Sequence, residues 1–421
     1  MALLFGSPAW GTDPPAEEQS GVEKSEPVPH KSGYLAKDSG FNGPSSVRAQ
    51  LEEDDELKDP VVRFPHIDRT LKPWLDFKHW VNQTIGLQFG FDYNTLFQWL
   101  SHSQTNEDHA RLGVFRAYGS WTLIGRDTGN PGTLVYKVDH RHTMGTFLAP
   151  AALGSQAGYI GQTGMLFSEV DWVLVDLNWQ QAFNDRKSGI ILGRFDPNDF
   201  MGVLGYANPW TSFSNLSTLL NASVAFPDAS LGIGAGHWLT DQWYVKGSIN
   251  DANGVVTEIE AFDGGAEFFK WGEVGWSPTK EERYTRNVHL VVWDVDKRKD
   301  VNIDSARGLM LGANWTTDDQ RWMGFVRGGW SDGDAPIYNE SYTVGLLRKF
   351  RRNSDLLGLA VNWGDPPDDD LRSQTTGELF YRVQLAQNLA MTPNLQLLRN
   401  PSLNTDKDTV WVFGLRMRLT L

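Results

Sequence analysis

The chain has 421 residues, no cysteine and a formal net charge of -14. That excludes disulfides and thiolate metal sites, and it disfavours nucleic acid, whose phosphates would repel the chain. Hydrophobic residues make up 40% of the sequence at a mean hydropathy of -0.39, and no apolar run approaches the ~20 residues of a spanning helix. A transmembrane β-barrel escapes that exclusion because its strands show lipid only at every second residue, and 18 Trp, 22 Phe and 42 Gly suit one.

The chain opens with "MALLFGSPAWG", residues 1–11, a short apolar run without a basic start. Two readings fit it equally, the tail of a signal peptide and a short apolar start without meaning. Residues 1–63 are rich in Pro, Glu, Ser and Lys and carry the acidic run "LEEDDELKD". With so little apolar surface they read as a polar, disordered extension whose deletion leaves folding and conductance nearly intact. In "RTLKPWLDFKHWVNQ", Leu71, Trp74, Leu75, Phe77 and Val81 fall at helical spacing. The pattern predicts a short amphipathic helix over 64–83, with Pro73 in its first turn, packed at or inside the periplasmic mouth.

From Thr84 the period becomes two. "GLQFGFDYNTLF" sets Leu87, Phe89, Phe91 and Tyr93 against Gln88, Gly90, Asp92 and Asn94, and "TLVYKVDHRH" sets Leu134, Tyr136 and Val138 against Val135, Lys137, Asp139 and Arg141. In "DWVLVDLNWQQAF" the same rule puts Val173, Val175 and Leu177 on one face and Trp172, Asp176 and Asn178 on the other. Polar clusters such as "NDRKSG", "LTDQ" and "RRNSD" separate the runs. This predicts an all-β fold, a closed antiparallel up-and-down transmembrane barrel over residues 84–421. Sixteen strands leave roughly 21 positions for each strand and loop, and eighteen leave about 19.

The sequence stops inside one of these alternations, "DTVWVFGLRMRLTL", with Trp411, Phe413, Leu415, Met417, Leu419 and Leu421 on one face and Arg416 and Arg418 on the other. A closed barrel accounts for this, because its last strand pairs with its first. The apolar face, with Leu87, Phe89 and Val175, is then expected to meet lipid, and the arginines to face water inside.

Over residues 84–421 the chain resembles the carbohydrate-selective porin (OprB) family of Gram-negative outer membranes. The resemblance rests on "FGFDYNTLFQW", "GVFRAYGSWTL", "NWQQAF", "GRFDPNDF", "YANPWTSFSN", "GIGAGHWLTDQWYVKGSINDANG" and "DTVWVFGLRMRL", taken together and in that order. It implies a 16-stranded barrel through which sugars diffuse passively. Family barrels usually end in an aromatic residue, where this chain has Leu421.

A sugar pore needs charged groups that grip hydroxyls and a flat ring on which a pyranose can lie, at a waist narrow enough to select. Alternation points Arg116, Lys137, Asp139, Arg141, Trp172, Glu378 and Arg382 inward, together with Asp92, Tyr118, Asp176, Arg416 and Arg418; Arg194 and Asp196 of "GRFDPNDF" join them. Lys137, Asp139 and Arg141 on one strand, with Arg194 and Asp196 in a segment that the resemblance also marks, are the first candidates. Charges inside barrels more often brace the wall than touch solute, and Asp196 also suits an Asp-Pro-Asn turn. The 9 histidines are scattered, "DHRH" splits its side chains between two faces, and the carboxylates of "GDPPDDD" read as a solvated loop. No enzyme, metal or cofactor is therefore expected. The expected partners are small carbohydrates and outer-membrane lipid, and a single barrel and a homo-oligomer fit equally. A porin for small anions is one alternative; another is a soluble, Trp-rich glycan-binding β-protein.

Overall fold

The computed structural model describes residues 42–421 apart from positions 258, 260, 261, 263, 264, 300, 352 and 353. The segment 1–11 therefore lies outside the described residues. Sixteen antiparallel strands close into one barrel, each paired with its sequence neighbours and the last with the first. They are β1 (Leu87–Leu100), β2 (His109–Ile124), β3 (Gly132–Thr143), β4 (Asp171–Phe183), β5 (Ser188–Phe195), β6 (Ser230–Trp238), β7 (Trp243–Asp251) and β8 (Phe268–Trp276), followed by β9 (Arg286–Val295), β10 (Ala306–Thr316), β11 (Trp322–Asp332), β12 (Glu340–Phe350), β13 (Asp355–Asp365), β14 (Gln374–Ala386), β15 (Leu389–Arg399) and β16 (Thr409–Thr420). The ladder reaches the last residue: Leu421 donates its amide to Phe91 O at 2.8 Å and accepts from Phe91 N at 3.0 Å. Among the described residues no helix is long and apolar enough to cross a membrane.

Connections at the chain-end mouth are short, such as 184–187, 239–242 and 387–388, while 144–170 and 196–229 at the other mouth are long. Outer-membrane barrels place short turns in the periplasm. Side chains alternate as the pleat requires. On β16, Val412, Arg416 and Arg418 are buried in the lumen, while Trp411, Phe413 and Leu419 are exposed outside. Outward Trp99, Trp330, Trp363 and Trp411 ring one end, and Trp121, Trp243 and Trp315 the other, as aromatic girdles do at membrane interfaces.

One register departs from the sequence reading. Opposite Lys137 and Val138, β4 skips from Asp176 to Leu174. This β-bulge leaves Val175 unpaired and exchanges the faces of the residues before it. Val175 and Val173 are thus buried inside rather than facing lipid, and Trp172, expected inside, is 61% exposed on the outer face against His140 and Phe115.

The core lies within the barrel. Residues 196–229 fold inward, carrying Leu204, Tyr206, Phe213 and Leu219 onto Met323, Phe325, Leu347, Leu356 and Phe380 of the wall. The described part of the expected disordered extension is also ordered inside. Helix α1 (Val47–Asp55) is capped by Ser46 and buries Val47 and Leu51 against the wall. Helix α2 (Pro65–Ile85) starts at Pro65 and ends at Gly86, whose φ of 78° suits a left-handed cap. Pro73 therefore lies mid-helix rather than in a first turn. At the chain-end mouth the helix lays Trp74 and Phe77 on the outward Phe89 ring at 5.8 and 6.4 Å, while its Lys78 pairs with Asp55 of α1 at 2.6 Å. Two further short helices are α3 (Pro150–Gln156) and α4 (Leu216–Leu219), the second within the inward loop.

Candidate functional site

Between β3 and the inward loop lies a cavity of about 410 Å³. Alternation on β3 aims Lys137, Asp139 and Arg141 into it, and the loop brings Asp196, Asp199, Trp210 and Asp228 to the other side. Lys137 Nζ sits 2.8 Å from Asp176 and 3.4 Å from Asp199, joining two strands to the loop. Arg141 donates to Asp139 Oδ2 at 2.8 and 3.2 Å and to Ser168 Oγ at 3.2 Å. Asp139 Oδ1 has no hydrogen-bond partner among the described residues.

The loop carboxylates are tuned by their surroundings. Asp196 Oδ1 accepts from the backbone and side-chain nitrogens of Asn198 at 2.9 and 3.0 Å. Burial still pushes Asp196 from an ordinary 3.8 up to about 6, against the pull of those hydrogen bonds and of Lys137. Burial likewise raises Asp199, opposed by Lys137, and Asp228, opposed by Arg141 and Arg194. Trp210 is buried beside the cavity, packed against Phe167, with Arg116 4.0 Å from its ring centre, a distance suited to cation–π attraction.

The other predicted residues sit elsewhere. Arg116 clamps Asp92, with Nε at 2.8 Å from Oδ1 and Nη2 on Oδ2, and donates to Gln50 of α1 at 2.9 Å. Glu378 accepts from the amides of Ser214 and Asn215 at 2.7 and 3.0 Å and from Thr218 Oγ1 at 2.6 Å, so it holds the first turn of α4. Arg382 meets Glu53 of α1 at 2.7 Å. Arg194 donates to the carbonyl of Leu174, beside the bulge, at 2.7 Å and to that of Val255, in the connection between β7 and β8, at 2.6 Å. Trp172, outside the barrel, is removed from the lining altogether.

Sequence reasoning missed Trp210 and Asp228, because the inward loop has no periodicity to mark its faces. It also missed Arg327, whose guanidinium donates to the carbonyls of Thr218 and Leu219 at 2.7 Å each. "RWMGFVRGGW" does alternate, so Arg327 could have been placed inside by the rule used for the other strands.

Comparison with known proteins agrees with this architecture. The model of the family described as carbohydrate-selective porin, OprB family, matches residues 122–421. The protein named Porin AaxA from Chlamydia pneumoniae is 21% identical over 359 residues, covering 81% of each chain. Its namesake from Chlamydia felis is 22% identical over 310 residues, covering 70% of this chain and 68% of that one. The high-pH structure of Pseudomonas putida OprB matches with a TM-score of 0.67 at 15% identity, over 83% of this chain and 97% of that one. At that identity the likeness speaks for the fold.

Proposed function

Because the chain belongs to the carbohydrate-selective porin (OprB) family and is a porin of the bacterial outer membrane, we propose that it admits small carbohydrates by passive diffusion through the cavity between β3 and the inward loop. The observation that carries this reading is the lining. Charges of both signs, Lys137, Arg141, Asp139 and Asp196, face a cavity that Trp210 borders. Hydroxyls exchange hydrogen bonds with such charged groups.

The lining described here holds four carboxylates, Asp139, Asp196, Asp199 and Asp228, against Lys137 and Arg141. That excess of negative charge weighs against the anion-porin alternative. A soluble glycan-binding protein is replaced by the porin reading, since family and fold are those of an outer-membrane channel.

The test is single-channel conductance in planar bilayers with a panel of sugars as blockers. Sugars should block the wild-type current, and Arg141→Ala and Asp196→Asn should weaken the block while the barrel stays folded. Equal block in wild type and both variants would move these residues from solute contact to the scaffold.

A further inference from the structure

Resting on the porin reading, we propose that the segment from Asn42 to Asp59 is a fixed inner lining of the periplasmic half of the pore, which sets its width and the sign of its ion selectivity. The segment follows the inside of the wall. Asn42 donates to Gln180 on β4 at 3.2 Å, and the Gly43 amide to Asp199 O of the inward loop at 3.1 Å. Val47 packs with Tyr118 and Val135 of β2 and β3. Beyond α1, Lys58 N and Asp59 N bond Gln387 and Ser354 in two short turns at 3.0 and 2.7 Å. Val61 and Val62 then pair with the carbonyls of Gln384 and Leu385 at 2.9 and 3.0 Å.

Charge gives this lining its function. Residues 47–59, "VRAQLEEDDELKD", carry six acids and two bases. Two of the acids meet wall arginines: Glu53 lies 2.7 Å from Arg382, and Asp54 lies 2.6 Å from Arg418 and accepts from Tyr118 Oη at 2.5 Å. Gln50 caps Arg116 from the same face. Burial would raise Glu53, but Arg382, Lys58 and Arg418 outweigh it and hold the group at about 2, ionised at every working pH. Without these carboxylates, Arg382 would lose its acidic partner and Arg418 would have only the Asp92 it shares with Arg116, leaving net positive charge in the lumen. A narrow passage lined by fixed cations favours anions. The acidic run that reads as a solvated tail is, on this account, the counter-charge of the wall.

The test uses the full chain in planar bilayers under a KCl gradient. Glu53→Gln/Asp54→Asn should move the reversal potential toward the chloride equilibrium potential. Glu53→Gln/Arg382→Gln, which removes a pair of opposite charges, should shift it less than Glu53→Gln alone. Replacing residues 42–58 by a Gly/Ser linker of equal length should raise the single-channel conductance. The heat-dependent gel shift reports that each barrel is folded; if the linker variant does not fold, the charge variants decide. An unchanged reversal potential in the Glu53/Asp54 variant, or an equal shift with and without Arg382→Gln, overturns the proposal. A wild-type protein that conducts no ions would instead overturn the porin reading.

Discussion

Replacing Glu378 with alanine asks whether one lumen carboxylate holds the inward loop. Glu378 projects from β14 and accepts four hydrogen bonds: from the amides of Ser214 and Asn215, from Thr218 Oγ1, and from Asn394 Nδ2 at 2.5 Å. Three of these donors belong to the loop. The two backbone amides have no place to turn once the carboxylate is gone, and each buried amide left unpaired costs about 1–3 kcal/mol. The seated loop should thus lose on the order of 2–6 kcal/mol. A loss of about 3 kcal/mol raises the unseated population roughly a hundredfold. The wall should survive, since its ladders are made by backbone groups that Glu378 does not touch. The expected variant migrates as a folded barrel, gives a noisier and larger open current, and is cleaved by protease within residues 196–229. Glu378→Gln keeps one acceptor and should fall between. Wild-type noise and protease resistance, combined with a change in ion selectivity, would show that Glu378 is a lining charge and not an anchor.

Three further outcomes follow from the same geometry. Leu415→Arg, on the outward face of β16 between Phe97 and Pro393, should cost about 2–4 kcal/mol of folding stability in lipid if it lies at the midplane; a loss below about 1 kcal/mol would place it at an interface. Asp196 loses its charge as pH falls through about 6, so cation preference should weaken between pH 7.5 and 5, and Asp196→Asn should flatten that profile. Its raised value also means that the protonated form suits the folded loop better, so acidification from about 6 toward the ordinary 3.8 stabilises the loop at this site rather than loosening it. Trp172→Ala, on the outer surface, should leave sugar block unchanged and affect only insertion or stability in lipid; weaker block would return Trp172 to the passage.

The barrel was legible because its signal is local. Alternation marks the faces of "TLVYKVDHRH" and "DTVWVFGLRMRLTL" without any knowledge of partners, and Lys137, Asp139, Arg141, Arg416 and Arg418 all lie inside. It misled where both faces are apolar. In "DWVLVDLNW", Val173, Leu174 and Val175 run without a polar residue to set the phase, so a bulge of one residue passes unseen and carries Trp172 to the other side. The lining of the lower pore was hidden for another reason. Gln50, Glu53 and Asp54 meet Arg116, Arg382 and Arg418 across 66, 329 and 364 positions. An acidic run with few apolar residues looks solvated until the cations that surround it are placed.

The arginines of the lumen follow a common logic that bears on selectivity. A loop that folds into a barrel brings carbonyls which no strand can satisfy, and an unsatisfied buried carbonyl is costly. A guanidinium carries five donors on a long stem and can reach two such groups at once. Arg327 takes the carbonyls of Thr218 and Leu219, and Arg416 those of Pro209 and Ser212 at 2.9 and 2.5 Å. Arg382 and Arg418 meet the carboxylates of α1, and Arg418 also shares Asp92 with Arg116. These cations are committed to holding inserted segments, so their number on β11 to β16 is a poor guide to what the pore prefers. Arg141 differs, since its partner Asp139 lies on its own strand and both line the cavity. Once the acids of α1 have balanced the arginines they meet, the charges left to face the cavity are those of β3 and the carboxylates of the loop opposite it.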